Sequence, residues 1–153
     1  MTTSPARMSG LLTAAIATSA LGAALYFQHV LGYQPCQLCL WQRWAYYLGI
    51  PLALLAAMTG SRALLWLVAL VFAANAVFGV YHAGIEWDFW AGPSSCGAGA
   101  ATVGGGNLLE DLKNTRIVPC DEATWRLLGL SFAGWSAVVC TACAAIAAFG
   151  ARR

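Results

Sequence analysis

Apolar residues fill four stretches of the chain, roughly residues 9–30, 40–58, 63–85 and 126–149, with few polar positions inside them. At about 1.5 Å per helical residue, each can cross a hydrocarbon core of about 30 Å. The pattern predicts an all-α membrane protein, a four-transmembrane-helix bundle in one integral domain over residues 1–153. A long loop, about residues 86–125, joins the third and fourth helices. The first stretch follows Arg7 and resembles a signal peptide in position. Its apolar run exceeds the usual h-region and no clear A-x-A site ends it, so it is read as the first helix.

Composition strengthens this picture. The chain is 60% hydrophobic and 9% charged, against about 25% charged residues in soluble domains. A bilayer is the simpler solvent, and no nucleic-acid partner is expected. Charge then orients the spans: Arg7, Arg62, Arg152 and Arg153 fall on one side of a four-span arrangement with no acid beside them, which predicts a cytoplasmic face. Every acid, Glu86, Asp88, Glu110, Asp111, Asp121 and Glu122, lies between the third and fourth helices, offset only by Lys113 and Arg116. That loop is expected outside and both termini inside.

On this map four of the six cysteines share the outer face, where disulfides persist. Cys36 and Cys39 sit between the first two helices; Cys96 and Cys120 sit in the long loop. A C-x-x-C pair alone is a modest signal, used by zinc, haem and redox sites alike. Here Pro35 suits the first turn of a helix, so the pair is expected at the start of helix 2. Unpaired N–H groups and the helix dipole there favour a thiolate, the nucleophilic form. Arg43, one turn beyond Cys39, opposes that dipole and calls for compensation. It either snorkels to headgroups or pairs with a thiolate or a ligand carbonyl.

The outer loop differs in character. Trp87, Phe89 and Trp90 read as an interfacial aromatic belt. Cys96 enters a Gly/Ala-rich run reaching Gly106 that is expected to be mobile, and residues 107–113 suggest a short amphipathic turn. A disulfide closing this loop is expected to have little packing around it, and in isolation reads as a structural staple. A second, helix-terminal pair on the same face makes a relay the better reading.

Taken together these residues closely resemble the disulfide bond formation protein B (DsbB) family. The resemblance rests on Phe27, Gln28, His29 and Val30, then Pro35, Cys36, Cys39 and Arg43, then Tyr81 and His82. It continues through Pro93, Ser94, Ser95 and Cys96 to Cys120, Asp121 and Glu122, with Leu128, Gly129 and Leu130 opening helix 4. It implies a protein of the bacterial inner membrane, with a long periplasmic loop, that reoxidises a periplasmic DsbA-like thiol oxidoreductase. Cys96 is implied as the site of the mixed disulfide, paired with Cys120; Cys36 as the exchange partner of Cys120; and Cys39 as the thiolate facing a quinone, ubiquinone or menaquinone. Arg43 and, with it, His82 are implied beside that quinone. Such a partner has a potential near about −120 mV, whereas structural disulfides lie below about −300 mV. The gap is roughly 8 kcal/mol uphill for an ordinary bridge, so an electron sink is needed.

Cys140 and Cys143 depart from the family pattern. Counted from residue 126 they lie some 21 Å or more from the outer end of helix 4, at about 1.5 Å per residue, and read as inner-leaflet packing residues. Asn75 reads as interhelical hydrogen-bonding glue. Three rivals are weaker. A haem protein would need His29 and His82 as its ligands. A zinc module would need the four outer cysteines, but Cys96 and Cys120 are far apart in sequence. A vitamin K epoxide reductase-like protein would carry its motif at the outer end of its last helix, whereas this outer C-x-x-C opens helix 2. No resident metal is expected.

Overall fold

A computed structural model describes residues 4–93, 96 and 119–153. The remaining outer-loop positions, including the expected turn at 107–113, the run after Cys96, Ser94, Ser95, Glu110, Asp111, Lys113 and Arg116, lie outside the described residues. Among the described residues four long helices dominate, α1 (Pro5–His29), α2 (Gln37–Thr59), α3 (Arg62–Glu86) and α4 (Phe132–Arg152), with two short strands, β1 (Arg126–Leu127) and β2 (Leu130–Ser131), ahead of α4. Among the described residues, α1, α3 and α4 are each long and apolar enough to cross a membrane. α2 is 23 residues long and carries Gln37, Gln42 and Arg43 in its first half.

The helices start where the sequence supplies a capping acceptor. Ser4 accepts from Arg7 N–H at 3.4 Å, Ser61 from Leu64 N–H at 3.4 Å and Ser131 from Gly134 N–H at 3.2 Å. Each satisfies a donor that has no partner within its helix. Gly60, at φ 71°, ends α2 in the left-handed conformation, and only Ser61, the cap of α3, separates it from the next helix.

α1 packs on α2, α2 on α3, α3 on α4 and α4 back on α1, while the diagonal pairs barely touch. The interior is built from small side chains, among them Ala14, Ala17, Ala53, Ala56 and Ala147, around Leu65, Val68 and Phe72. Large apolar side chains such as Met58, Leu70, Val77 and Trp44 face outward. In lipid, association rests on close van der Waals packing rather than on burial from water, so small residues belong at the contacts. A Cβ at Gly10 would stand 2.8 Å from the Ala53 carbonyl oxygen, and one at Gly79 3.0 Å from Ala137 Cβ. These two glycines set the α1–α2 and α3–α4 spacings.

The fourth helix starts later than the hydropathy predicts. Residues 126–131 are not its first turns: Leu128 and Gly129 take φ 54° and 84°, the pattern of a primed two-residue hairpin turn. Arg126 pairs with Ser131 and Leu127 with Leu130. The hairpin is fixed to the end of α3, where Arg126 donates to the Glu86 carbonyl at 3.2 Å and the Ser131 hydroxyl donates to the Glu86 carboxylate. Leu128, Gly129 and Leu130 therefore form a turn and strand, not a helix opening.

The later start also moves Cys140 to about 12 Å from the N-terminal end of α4, against about 21 Å expected from a start at residue 126. Both Cys140 and Cys143 are free and buried. Asn75 donates to Cys140 Sγ at 3.2 Å, joining α3 to α4, and Cys140 is 3.3 Å from the Tyr46 hydroxyl. Arg62 donates to the Arg153 carbonyl and Arg7 lies beside Gly60, so the four terminal arginines share one end of the bundle.

Candidate functional site

The opposite end carries the chemistry. Pro35 does not occupy the first helical position. It stands one residue ahead of the N-cap, and Cys36 itself caps α2 with φ −72° and ψ 171°. The Cys36 Sγ accepts the Cys39 backbone N–H at 3.3 Å, and the two Sγ atoms are 3.0 Å apart. A sulfur in this position takes the role normally filled by a serine or aspartate oxygen, and negative charge on it is favoured by the helix end.

α3 brings His82 to the same sulfur. The imidazole is fully buried, with Nε2 3.5 Å from Cys36 Sγ and Nδ1 2.9 Å from the Gln42 amide. Gln42 thereby fixes the ring. The Cys36 thiol is pushed down to about 5 by the hydrogen bond from Cys39, against its own burial and with help from the hydrogen bond and charge of His82. Cys36 is thus a thiolate at neutral pH, in the range of activated cysteines.

The third component comes from the outer loop. Cys96 and Cys120 are disulfide-bonded with Cα atoms 5.3 Å apart. Their bridge is not left bare, as the loop composition suggests: Cys120 is 2% exposed and Cys96 9%, and they pack with Cys36, Leu38 and Ile85. Cys36 Sγ, Cys120 Sγ and a His82 ring nitrogen all lie within 4.8 Å of one another. The fold therefore brings a thiolate at a helix N-terminus next to one sulfur of a buried disulfide, the two reactants of thiol–disulfide exchange.

Beside this cluster lies a cavity of about 330 Å³ walled by all four helices and the segment ahead of α4, with Glu86 and Glu122 among its lining, at the lower end of the roughly 300–1,000 Å³ of ligand pockets. Phe27, Tyr33, Trp125 and Phe132 form its aromatic wall. Trp125 stacks on Phe132 at 4.8 Å, and Phe27 meets Phe132 edge-on at 5.0 Å. Cys39, Gln42, Arg43 and His82 supply polar groups, with Tyr46 and Ser136 deeper, 3.2 Å from each other. The Arg43 guanidinium donates to the Gln28 side-chain carbonyl. Its compensation is therefore a neutral amide from α1, which leaves its charge available to the cavity.

Of the residues singled out by sequence, Cys36, Cys39, Cys120, Arg43 and His82 line this one cavity, and Cys96 lies behind it, bonded to Cys120. His29 is exposed at the end of α1 and does not line it, which removes the paired-histidine arrangement required for the haem reading. Gln42, Gln28, Trp125 and Phe132 were not singled out for this site. A glutamine inside an apolar helix, one turn after Cys39, is the signal that could have found Gln42.

The protein-family model described as "Disulfide bond formation protein DsbB" matches residues 6–150. Disulfide bond formation protein B of Verminephrobacter eiseniae is 34% identical over 144 residues, covering 86% of this chain and 77% of that protein. The Acidovorax protein of the same name is 31% identical over 147 residues, covering 89% and 81%. Disulfide bond formation protein B 1 of Pseudomonas putida is 33% identical over 148 residues, covering 90% and 85%. No solved structure matches the chain.

Proposed function

This chain belongs to the disulfide bond formation protein B family, and we propose that it is the quinone-reducing thiol–disulfide oxidoreductase that reoxidises a periplasmic DsbA-like thiol oxidant. It is a multi-pass membrane protein of bacteria. In the proposed arrangement all four helices span the inner membrane in one domain, with both termini cytoplasmic and the cysteine end periplasmic. The clustering of Arg7, Arg62, Arg152 and Arg153 at the other end supports that orientation.

The observation that carries the proposal is the approach of Cys36 Sγ to Cys120 Sγ, within 4.8 Å. A partner thiolate attacks Cys96, the Cys96–Cys120 bond breaks, and Cys120 leaves as a thiolate. When Cys36 and Cys39 are disulfide-bonded, Cys120 attacks Cys36 and releases Cys39 as a thiolate. The partner's second thiol resolves its mixed disulfide, returning Cys96 to close again on Cys120 and release Cys36. Two electrons have then passed from the partner to Cys36 and Cys39, one proton resting on Cys39 and the other in solvent while Cys36 stays a thiolate. The exchange runs well because Cys36 is a good leaving group as well as a nucleophile, its thiolate held by the Cys39 N–H and His82.

A quinone bound beside Cys39 supplies the two-electron, two-proton sink that draws the sequence forward. The cavity residues fit such a group: an aromatic wall for a flat ring, and the Arg43 guanidinium as a hydrogen-bond donor for a ring carbonyl. The test is to mix the purified protein with a reduced DsbA-type partner and ubiquinone or menaquinone. Partner oxidation should match quinol formed, one to one. With Cys39→Ser, quinone reduction should cease; quinone reduction that persists in this variant overturns Cys39 as terminal donor.

A further inference from the structure

The sequence spacing argues against a zinc site shared by the four outer cysteines, but the fold gathers a different donor set. Cys36 Sγ, Cys120 Sγ and a His82 nitrogen lie within 4.8 Å of one another, and Cys39 Sγ is 3.0 Å from Cys36. Tetrahedral zinc, with Zn–S near about 2.3 Å and Zn–N near about 2.0 Å, needs donors roughly 3.5–3.8 Å apart. The Cys36–His82 separation of 3.5 Å already matches this edge. Cys39 Sγ, near Cys36 but outside that 4.8 Å group, must swing toward Cys120 and His82, and Cys120 must close on them once it is no longer tied to Cys96.

We propose that the fully reduced chain binds one thiophilic divalent cation, zinc, through Cys36, Cys39, Cys120 and His82 Nε2, and that the bound ion stalls the relay. The proposal rests on the exchange cluster assigned above. Reduction of the Cys96–Cys120 bond by a dithiol, itself oxidised to its disulfide, adds two electrons and two protons. Zinc then displaces the thiol protons of Cys39 and Cys120 to solvent, the His82 proton passes from Nε2 to Nδ1, and no further redox change is involved.

Two features beyond proximity support the site. Gln42 Nε2 donates to His82 Nδ1 at 2.9 Å and keeps the ring aimed at the sulfurs; half a turn of the same amide brings its carbonyl to accept Nδ1–H once Nε2 takes the metal, the outer-shell arrangement of zinc-bound histidines. Three thiolates and one zinc ion carry a net negative charge, and Arg43 stands on the same cavity wall to offset it. Cys96 is not a ligand, so the site is available only when the loop bridge is open. A metal would therefore hold the enzyme in its most reduced form, the state that accumulates when the electron acceptor is scarce.

The test uses the full-length protein in detergent, reduced with a phosphine, and titrated with Zn²⁺ against a chromophoric competitor, with Co²⁺ as a spectroscopic probe of thiolate ligation. Reduced protein should bind one Zn²⁺ per chain, and protein with the Cys96–Cys120 bridge intact should bind far more weakly. Cys96→Ser should bind without loop reduction, while Cys120→Ser should not reach that affinity under any reduction. Both variants lack the bridge, so any fold disturbance from losing it is matched between them. Gln42→Ala should weaken binding by about 10–100-fold, and Cys140→Ser with Cys143→Ser should leave it unchanged. Equal binding by oxidised and reduced protein, equal affinity of the Cys96 and Cys120 variants, or no zinc in the reduced chain overturns the site. None of these readouts needs quinone or partner, so zinc binding without partner oxidation would reject the relay and spare the site.

Discussion

Replacing His82 with alanine removes one of the hydrogen bonds that hold Cys36 as a thiolate. The contact is 3.5 Å from Nε2 to Sγ in a fully buried position. A hydrogen bond to a charged group contributes about 1.5–3 kcal/mol, and one pKa unit corresponds to about 1.4 kcal/mol. From its starting value of about 5, Cys36 should rise by about one to two units, the smaller shift applying if water enters the vacated space. The sign follows from the thiolate being the reactive form: alkylation of Cys36 is fast above its pKa and falls as pH drops through it. At pH near 6 the thiolate fraction should fall from about nine-tenths to between about one-half and one-tenth. Iodoacetamide trapping with the loop bridge closed, read by peptide mass spectrometry across about pH 4 to 9, measures the midpoint at Cys36 directly. A native midpoint near the free-cysteine value of about 8.5, or a His82→Ala midpoint that does not move, refutes the assigned role of the imidazole.

Other perturbations follow from the same geometry. Cys96→Ser should abolish the mixed disulfide with the partner, observed as loss of the cross-linked species on non-reducing gels. Joint replacement of Cys140 and Cys143 by serine should leave turnover near normal, because neither thiol touches the exchange cluster; a severe loss in the quinone assay would reverse this. Gly79→Val should push α3 from α4, since even a Cβ there stands 3.0 Å from Ala137 Cβ. The expected cost is about 1–3 kcal/mol, seen as a lowered Tm in detergent, and an unchanged Tm would mean the helices are not held at that contact.

Most of the helical architecture is legible in the sequence because spanning helices need long apolar runs, which local composition reveals. The start of α4 is not, because residues 126–131 continue the apolar run while Leu128 and Gly129 turn the backbone. Gly129 is the local cue, and hydropathy averages over it. The cysteines and Arg43 could be singled out because thiols beside a helix start and a cation in an apolar stretch have few other uses. Gln42, Trp125 and Phe132 are ordinary residues until folding sets one against His82 and the others across the cavity. The packing around Cys120 is likewise a tertiary fact, since its neighbours Cys36, Leu38 and Ile85 come from distant parts of the chain.

The central claim is that electrons cross between the two cysteine pairs through Cys36 and Cys120. It is tested most directly by treating quinone-oxidised protein with a reduced partner that retains only its attacking cysteine, quenching with acid and mapping the disulfides. The account predicts a partner–Cys96 bond together with a Cys36–Cys120 bond and a free Cys39. A partner–Cys96 bond with Cys36–Cys39 still closed and Cys120 free would contradict it.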